Sequence, residues 1–346
     1  FFELIRSSEP IFGGFSLGLL GYIWGFSLYI SQMAAFVGIY GLSFLAVFLC
    51  GLLGFLFESN SRQKVIIISI IFISVILLMG VFGWKRLKNA DNFSTKKINI
   101  RIVQPNIDQS KMQDIGSLKE MFLENIELSK KDGLEKIDLL IWGESAVAFV
   151  LDKKNKNSLK NYIDFLPKNS FLITGAMLGE ISDSKIISKV WNSMIFINDK
   201  GEIVDYYDKV KLVPFGEYVP LRKFLPFIKK ITFGMLDFSR GEKSQLISLG
   251  KDLPNIISSI CYETSYIFGV YPKKENSILI NVTNDAWYGN SSGPYQNFEM
   301  AIFRAIENKL PVVRASNNGI SGVIDAYGRV IEKTKLNERT VLDITM

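Results

Sequence analysis

Two runs without Asp, Glu, Lys or Arg dominate the first quarter of the chain: residues 10–57, 48 positions, and residues 65–84, 20 positions. As one helix the first run would extend about 72 Å, against a hydrocarbon core of about 30 Å. It must turn back or lie partly in the interface, and Ser31 with Gln32 is the natural break. That leaves Ala34 to Phe57 as one membrane span and Ile11 to Ile30 as a second span or an interfacial hydrophobic arm. Val65 to Trp84 is a further span. Gly38, Gly41, Gly51 and Gly54 suit close helix contacts. A cleavable signal peptide fits poorly, because Glu3, Arg6 and Glu9 precede more membrane sequence. Arg62 and Lys64 flank one end of the last span, and Lys85, Arg86 and Lys88 the other, so the positive-inside rule does not choose a side.

Most charged residues follow residue 91, and there the pattern changes. The Asn- and Lys-rich stretch 87–97 reads as a linker. From Ile98, short apolar runs alternate with polar or amphipathic stretches. Strands are expected at 98–103, 139–142, 171–174, 190–197, 203–207, 256–260, 278–282 and 311–315. Helical spacing covers Ser117 to Lys130 and Gln296 to Asn308. This order predicts sheets covered by helices, an α/β or α+β sandwich, behind a multi-pass α-helical membrane segment. The expected division is a membrane portion at 1–90 and a soluble domain at 96–346.

There are no histidines. That excludes every Ser-His-Asp or Cys-His arrangement, HExxH zinc sites and imidazole bases, and leaves carboxylates or lysine to move protons. Cys50 and Cys261 fall in different portions, which argues against a disulfide between them. The net charge of +6 comes without a basic cluster interleaved with aromatics. Nucleic acid is a poor partner on this ground, and anionic lipid headgroups a better one.

Several residues could carry chemistry, each with a plainer alternative. Cys261 ends the run IISSI, where a strand end can present a nucleophile or bury a small hydrophobe. Glu144 follows DLLIWG and is either a used carboxylate at a buried strand end or a capping or loop residue. Lys209, in DYYDKVKLVPFGEYVP, is an activating cation or an ordinary solvated lysine. Glu217 sits in the same proline- and aromatic-rich loop, either shaped into a site or exposed in a turn.

The motifs WGES (142–145), YDKVKLVPFGEYVP (207–220), ICYE (260–263), NVTNDAWYGNSSGPYQ (281–296) and RASNNGISGVIDAYGRV (314–330) resemble the apolipoprotein N-acyltransferase family, the membrane branch of the nitrilase-like carbon-nitrogen hydrolases. SQMAAFVGIYGLSFLAVF at 31–48 also resembles the membrane part that precedes the catalytic domain in that family. The resemblance implies an αββα nitrilase-like sandwich with Glu144, Lys209 and Cys261 as a catalytic triad. Glu217 would hold the lysine, and Tyr262 and Glu263 would support the site. It further implies acyl transfer from a phospholipid, through a thioester on Cys261, to the amine of a diacylglyceryl-cysteine apolipoprotein. No cofactor or metal is implied. The location implied is a bacterial inner membrane with the catalytic domain on the periplasmic face, and the default assembly is a monomer.

The family often has histidine where this chain has Lys211 and Asn297; the first change touches a surface or supporting contact, and the second could weaken a hydrogen bond near the pocket. The chain also reads as lacking segments at both ends. Two other classes remain at this stage. A membrane-tethered amidase or nitrilase would use the same triad with water as acceptor, whereas a membrane scaffold would leave Glu144, Lys209 and Cys261 apart.

Overall fold

The computed structural model describes residues 2–7, 16, 18–59, 61–90, 97–108, 115–182, 186–220, 222, 227, 230, 236–242, 246–265 and 275–346. Two long helices come first, α1 (Ala34–Glu58) and α2 (Arg62–Lys88). At about 1.5 Å per residue both exceed the thickness of a hydrocarbon core, and either could cross a membrane. Phe36, Phe44 and Phe55 on α1 and Ile70, Leu77 and Leu78 on α2 are exposed. A helix in a water-soluble core would bury such side chains; these present them outward as a lipid-facing helix does.

The stretch Ile11 to Ile30 is not a second continuous span where it is described. Leu20–Phe26 is a 3₁₀ segment and Leu28–Ser31 a single helical turn; residues 11–15 and 17 lie outside the described residues. The 3₁₀ segment is held on α1: Gly21 N–H donates to Ser43 Oγ at 2.8 Å, and Trp24 Nε1–H donates to the Leu42 carbonyl at 3.1 Å. Gly51 and Gly54 have nothing within 4 Å of a would-be Cβ, so neither serves the close contact their spacing predicts. The tight approach is at Gly83, where a Cβ would stand 1.8 Å from the Tyr29 carbonyl oxygen. Of the stretch expected as a linker, residues 91–96 lie outside the described residues.

The remainder is a pair of packed sheets. In order along the chain the elements are β1 (Asn99–Gln104), α3 (Ile115–Ser129), β2 (Leu139–Trp142), β3 (Val147–Asp152), β4 (Phe171–Ile181), β5 (Ile187–Asn198), β6 (Ile203–Asp208), β7 (Leu246–Ile247), β8 (Asn255–Ile260), β9 (Ser277–Thr283), α4 (Gly293–Asn308), β10 (Val312–Ser316), β11 (Gly322–Ile324), β12 (Val330–Lys333) and β13 (Thr340–Thr345). One sheet runs β13-β1-β2-β4-β5-β6 with β3 beside β4, and the other runs β12-β11-β10-β9-β8-β7.

Period-two alternation explains the layers. Ile100 and Ile102 of β1, Leu139 and Ile141 of β2, and Ile278, Ile280 and Val282 of β9 face one core between the sheets. Val103, Leu140 and Trp142 point the other way, under Phe122 and Ile126 of α3. Leu279 and Val312 point away on the second sheet, under Phe298, Ala301 and Ala305 of α4. The result is the expected αββα sandwich. β2 lies parallel to β4, and β8 parallel to β9, so several strand ends open on the same edge of the sandwich.

Candidate active site

Glu144, Lys209 and Cys261 leave the carboxyl ends of β2, β6 and β8. The Glu144 backbone crosses Gly175 so closely that a Cβ there would lie 2.6 Å from Glu144 Cα. Lys209 is fixed on both sides: its N–H donates to the Asn192 carbonyl and its carbonyl accepts from Gly241 N–H, each at 2.8 Å. Cys261 adopts φ +50 and opens the 3₁₀ turn Cys261–Ser265, an uncommon conformation for a residue with a Cβ. The turn ends the strand abruptly and sets the half-buried thiol at its edge.

The charged side chains converge and are buried. Lys209 is 1% exposed, with Nζ 2.8 Å from Glu217 Oε1 and 3.7 Å from Glu144 Oε1. The Asn192 amide Nδ2 donates to both carboxylates, at 2.8 Å to Glu144 and 2.9 Å to Glu217. The remaining Glu144 oxygen accepts from Asn284 N–H at 3.1 Å, and the remaining Glu217 oxygen from Val213 N–H at 2.9 Å. The Glu144 charge acts on the nearby Cys261 thiol.

Burial raises the Glu144 carboxyl above its ordinary range; Lys209 pulls it back and Glu217 pushes it further up. Desolvation alone would lower Lys209, but Glu217, then Glu144, outweigh it and hold the ammonium well above its ordinary value. Burial, reinforced by the Glu144 charge, pushes the Cys261 thiol up to about 12. At neutral pH the cysteine is therefore a thiol beside a buried carboxylate.

Tyr262 and Glu263 are buried directly after the cysteine. Glu263 accepts four hydrogen bonds: from Tyr207 Oη at 2.9 Å, Val210 N–H at 2.9 Å, Lys211 N–H at 3.0 Å and Ile260 N–H at 2.8 Å. It thus ties the cysteine turn to the backbone that carries Lys209. Tyr262 Oη accepts from Ser16 N–H at 3.0 Å, linking the same turn to the segment before α1.

Four neighbours had no role in the sequence reading. Asn192, in mid-β5, bridges the two glutamates; its signal is an amide inside the apolar run VWNSMIFI. Asn281 donates to the Cys261 carbonyl at 3.2 Å. Asp285 and Arg314, both fully buried, pair at 2.9 Å, and Asn297 donates to Asp285 at 2.8 Å. Asn297 thus makes a hydrogen bond near the pocket. Among the described residues, no group of three or more His, Cys, Asp or Glu has the spacing to hold a metal ion.

Residues 99–346 match the carbon-nitrogen hydrolase family. The apolipoprotein N-acyltransferase of Rickettsia typhi is 37% identical over 97% of this chain, and that of Rickettsia bellii 38% identical over 99%. The chain spans 66% and 67% of the length of these two relatives. Among solved structures, a CN-hydrolase superfamily protein of Xanthomonas campestris matches 73% of this chain and 91% of its own length, with a TM-score of 0.50 at 16% identity. A Saccharomyces cerevisiae member of branch 10 of the nitrilase superfamily matches 74% and 92%, with a TM-score of 0.50 at 18% identity. These two share the fold of the sheet pair. The chain belongs to the carbon-nitrogen hydrolase family, in the branch that holds the apolipoprotein N-acyltransferases.

Proposed function

We propose that this chain carries the acyl-transfer site of an apolipoprotein N-acyltransferase, with 1–90 as its membrane portion and 96–346 as its catalytic domain. The carrying observation is one buried cluster in which Lys209 stands between Glu217 and Glu144, with the Glu144 charge acting on the Cys261 thiol. Two helices able to cross a membrane precede it. A water-soluble amidase has no use for them.

In the first step Glu144 accepts the thiol proton and the sulfur attacks the ester carbonyl of a phospholipid. The Lys209 ammonium and the Tyr262 backbone N–H stabilise the developing oxyanion. Collapse expels the lysophospholipid alkoxide, which takes the proton from Glu144 and leaves a thioester on Cys261. The free amine of a diacylglyceryl-cysteine apolipoprotein then attacks the thioester. Glu144 accepts the amine proton and returns it to the departing thiolate, so an ester is exchanged for an amide with no net proton change. Glu217 holds Lys209, and Tyr262 and Glu263 hold the cysteine turn. An inner-membrane location with the catalytic domain towards the periplasm suits these substrates, and a monomer contains every group named.

The test incubates the full-length protein with phospholipid and a diacylated lipopeptide, then reads an acyl adduct on Cys261 and an amide on the peptide by mass spectrometry. Glu144→Gln should slow adduct formation by about 10² to 10⁴-fold. Cys261→Ala should abolish it with the fold intact. Free fatty acid without peptide acylation would identify a hydrolase instead, and transfer retained by Cys261→Ala would sink the nucleophile assignment.

A further inference from the structure

Helix α1 is broken at Gly38, which adopts φ 64 and ψ 177 inside an otherwise helical run. That conformation is essentially restricted to glycine. The break starts a new helical segment at Ile39, whose first N–H groups have no helical carbonyl to meet. A carboxylate from the other half of the molecule fills the gap: Glu307, in the last turn of α4, accepts the Ile39 N–H through Oε1 at 2.8 Å. Its Oε2 pairs with Arg304 at 2.9 Å, and the Arg304 side chain is 1% exposed. A negative charge at a helix start is also favoured by the helix dipole.

This contact lies at one end of an element that reaches the chemistry at the other. Helix α4 packs Phe298, Ala301 and Ala305 on the second sheet. It turns Phe303 and Ile306 into the cluster formed with α1 and α2. Met300 packs on Tyr262, with Cys261 alongside. A second joint flanks the first: Gln32 Nε2 donates to the Tyr327 carbonyl at 2.9 Å, and Arg86 donates to Gln32 and, at 3.2 Å, to the Ile306 carbonyl.

We infer that Glu307 is a positioning residue: by capping the break at Gly38 it docks the catalytic domain on α1 and sets where the Cys261 site meets an acyl chain held in the bilayer. The inference rests on the acyl-transfer reading for its kinetic consequence, but the docking contact can be measured without it. Loss of the cap moves the site relative to the lipid while leaving Cys261, Glu144 and Lys209 in place. KM for a bilayer substrate should therefore change where kcat does not.

The experiment uses the full-length protein in phospholipid nanodiscs with a diacylated lipopeptide acceptor, and a short-chain soluble thioester as a second acyl donor. Glu307→Ala should raise KM for phospholipid about tenfold, as expected for losing one charge-assisted hydrogen bond, with kcat and turnover of the soluble donor within about twofold. Hydrogen exchange of peptides containing Ile39 should quicken. Glu307→Gln combined with Arg304→Met keeps an acceptor for Ile39 without stranding the guanidinium, and should restore both readouts. Gly38→Ala should raise KM in the same way, and its effect should not add to that of Glu307→Ala.

Unchanged KM and exchange in Glu307→Ala would overturn the proposal, as would additive effects of the two single variants. An equal loss with the soluble donor would overturn it too, since that would place Glu307 in the chemistry or in general folding. If the wild type transfers no acyl group at all, the acyl-transfer reading fails. The exchange rates of Ile39 in Glu307→Ala and in the double variant then decide the docking contact by themselves.

Discussion

Lys209 lies closer to Glu217 than to Glu144, 2.8 Å against 3.7 Å, although Glu144 is the carboxylate whose charge acts on the Cys261 thiol. Glu217 therefore takes the greater share of the lysine's charge, and in the proposed reaction Glu144 is left to exchange a proton with Cys261. The two glutamates divide between them what a single counter-ion could not do.

Removing Glu217 leaves a buried ammonium with a partner 3.7 Å away as its nearest carboxylate. Breaking a buried ion pair from one side costs about 3–5 kcal/mol. Glu217→Ala should lower the thermal midpoint in detergent strongly, and Glu217→Gln, which retains an oxygen acceptor for Nζ, should lower it less. Equal midpoints for the two variants would show that Glu217 acts through packing rather than charge.

Stability should fall in alkali. Cys261 ionises at about 12 in the folded chain against an ordinary 9.0, so the unfolded state releases its proton first. The thiol's contribution is complete below pH 9.0 and is lost as pH rises towards about 12. Lys209 acts with the same sign: its ammonium is held well above 10.5 when folded, and that support disappears at still higher pH. Thermal midpoints recorded from pH 8 to 11 should decline, and Cys261→Ala should decline less than wild type. A steeper decline in the variant would contradict the sign.

Much of this was legible before any coordinates. The alternation in NIRIV marks a strand, and the short continuous apolar run LLIW marks one buried on both faces. Glu144, Lys209 and Cys261 each follow such a run directly, so their placement at strand ends followed from their neighbours. The segment 20–31 was not legible, because an apolar run does not distinguish a span from a 3₁₀ segment pinned by Gly21 and Trp24 to α1. Nor was Asn192, whose role depends on two glutamates 48 and 25 positions away. The spacing of Gly38 suggests a packing residue; its backbone angles make it a break instead, and Glu307 accepts from the Ile39 N–H that follows.

Asn192 offers the sharpest test of the bridge between the glutamates. Its amide donates to Glu144 and Glu217 at once, so Asn192→Leu leaves a buried oxygen on each short of a donor. An unsatisfied buried acceptor costs about 1–3 kcal/mol, more for a charged group. Asn192→Asp is worse in kind, placing a third carboxylate against the other two. Acylation of Cys261 by a short-chain thioester should be slower in both variants, with Asp the slower. Wild-type rates in Asn192→Leu would show that Lys209 and the Asn284 N–H suffice to orient Glu144.

The Asp285–Arg314 pair predicts an order of effects at the far side of the site. Asp285 follows Asn284, whose N–H holds Glu144, so anything that shifts this turn reaches Glu144. Arg314 supplies two contacts to Asp285, at 2.9 and 3.0 Å, from a fully buried position, and Asn297 supplies one at 2.8 Å. Arg314→Ala strands the Asp285 charge and should cost about 3–5 kcal/mol. Asn297→Ala removes one of several donors and should cost roughly 1–3 kcal/mol, with acylation slowed but present. Thermal unfolding of the two variants in the same detergent checks the order. If Asn297→Ala proves as damaging as Arg314→Ala, the amide rather than the guanidinium anchors this turn, and the residue that replaces histidine here has taken over its structural task.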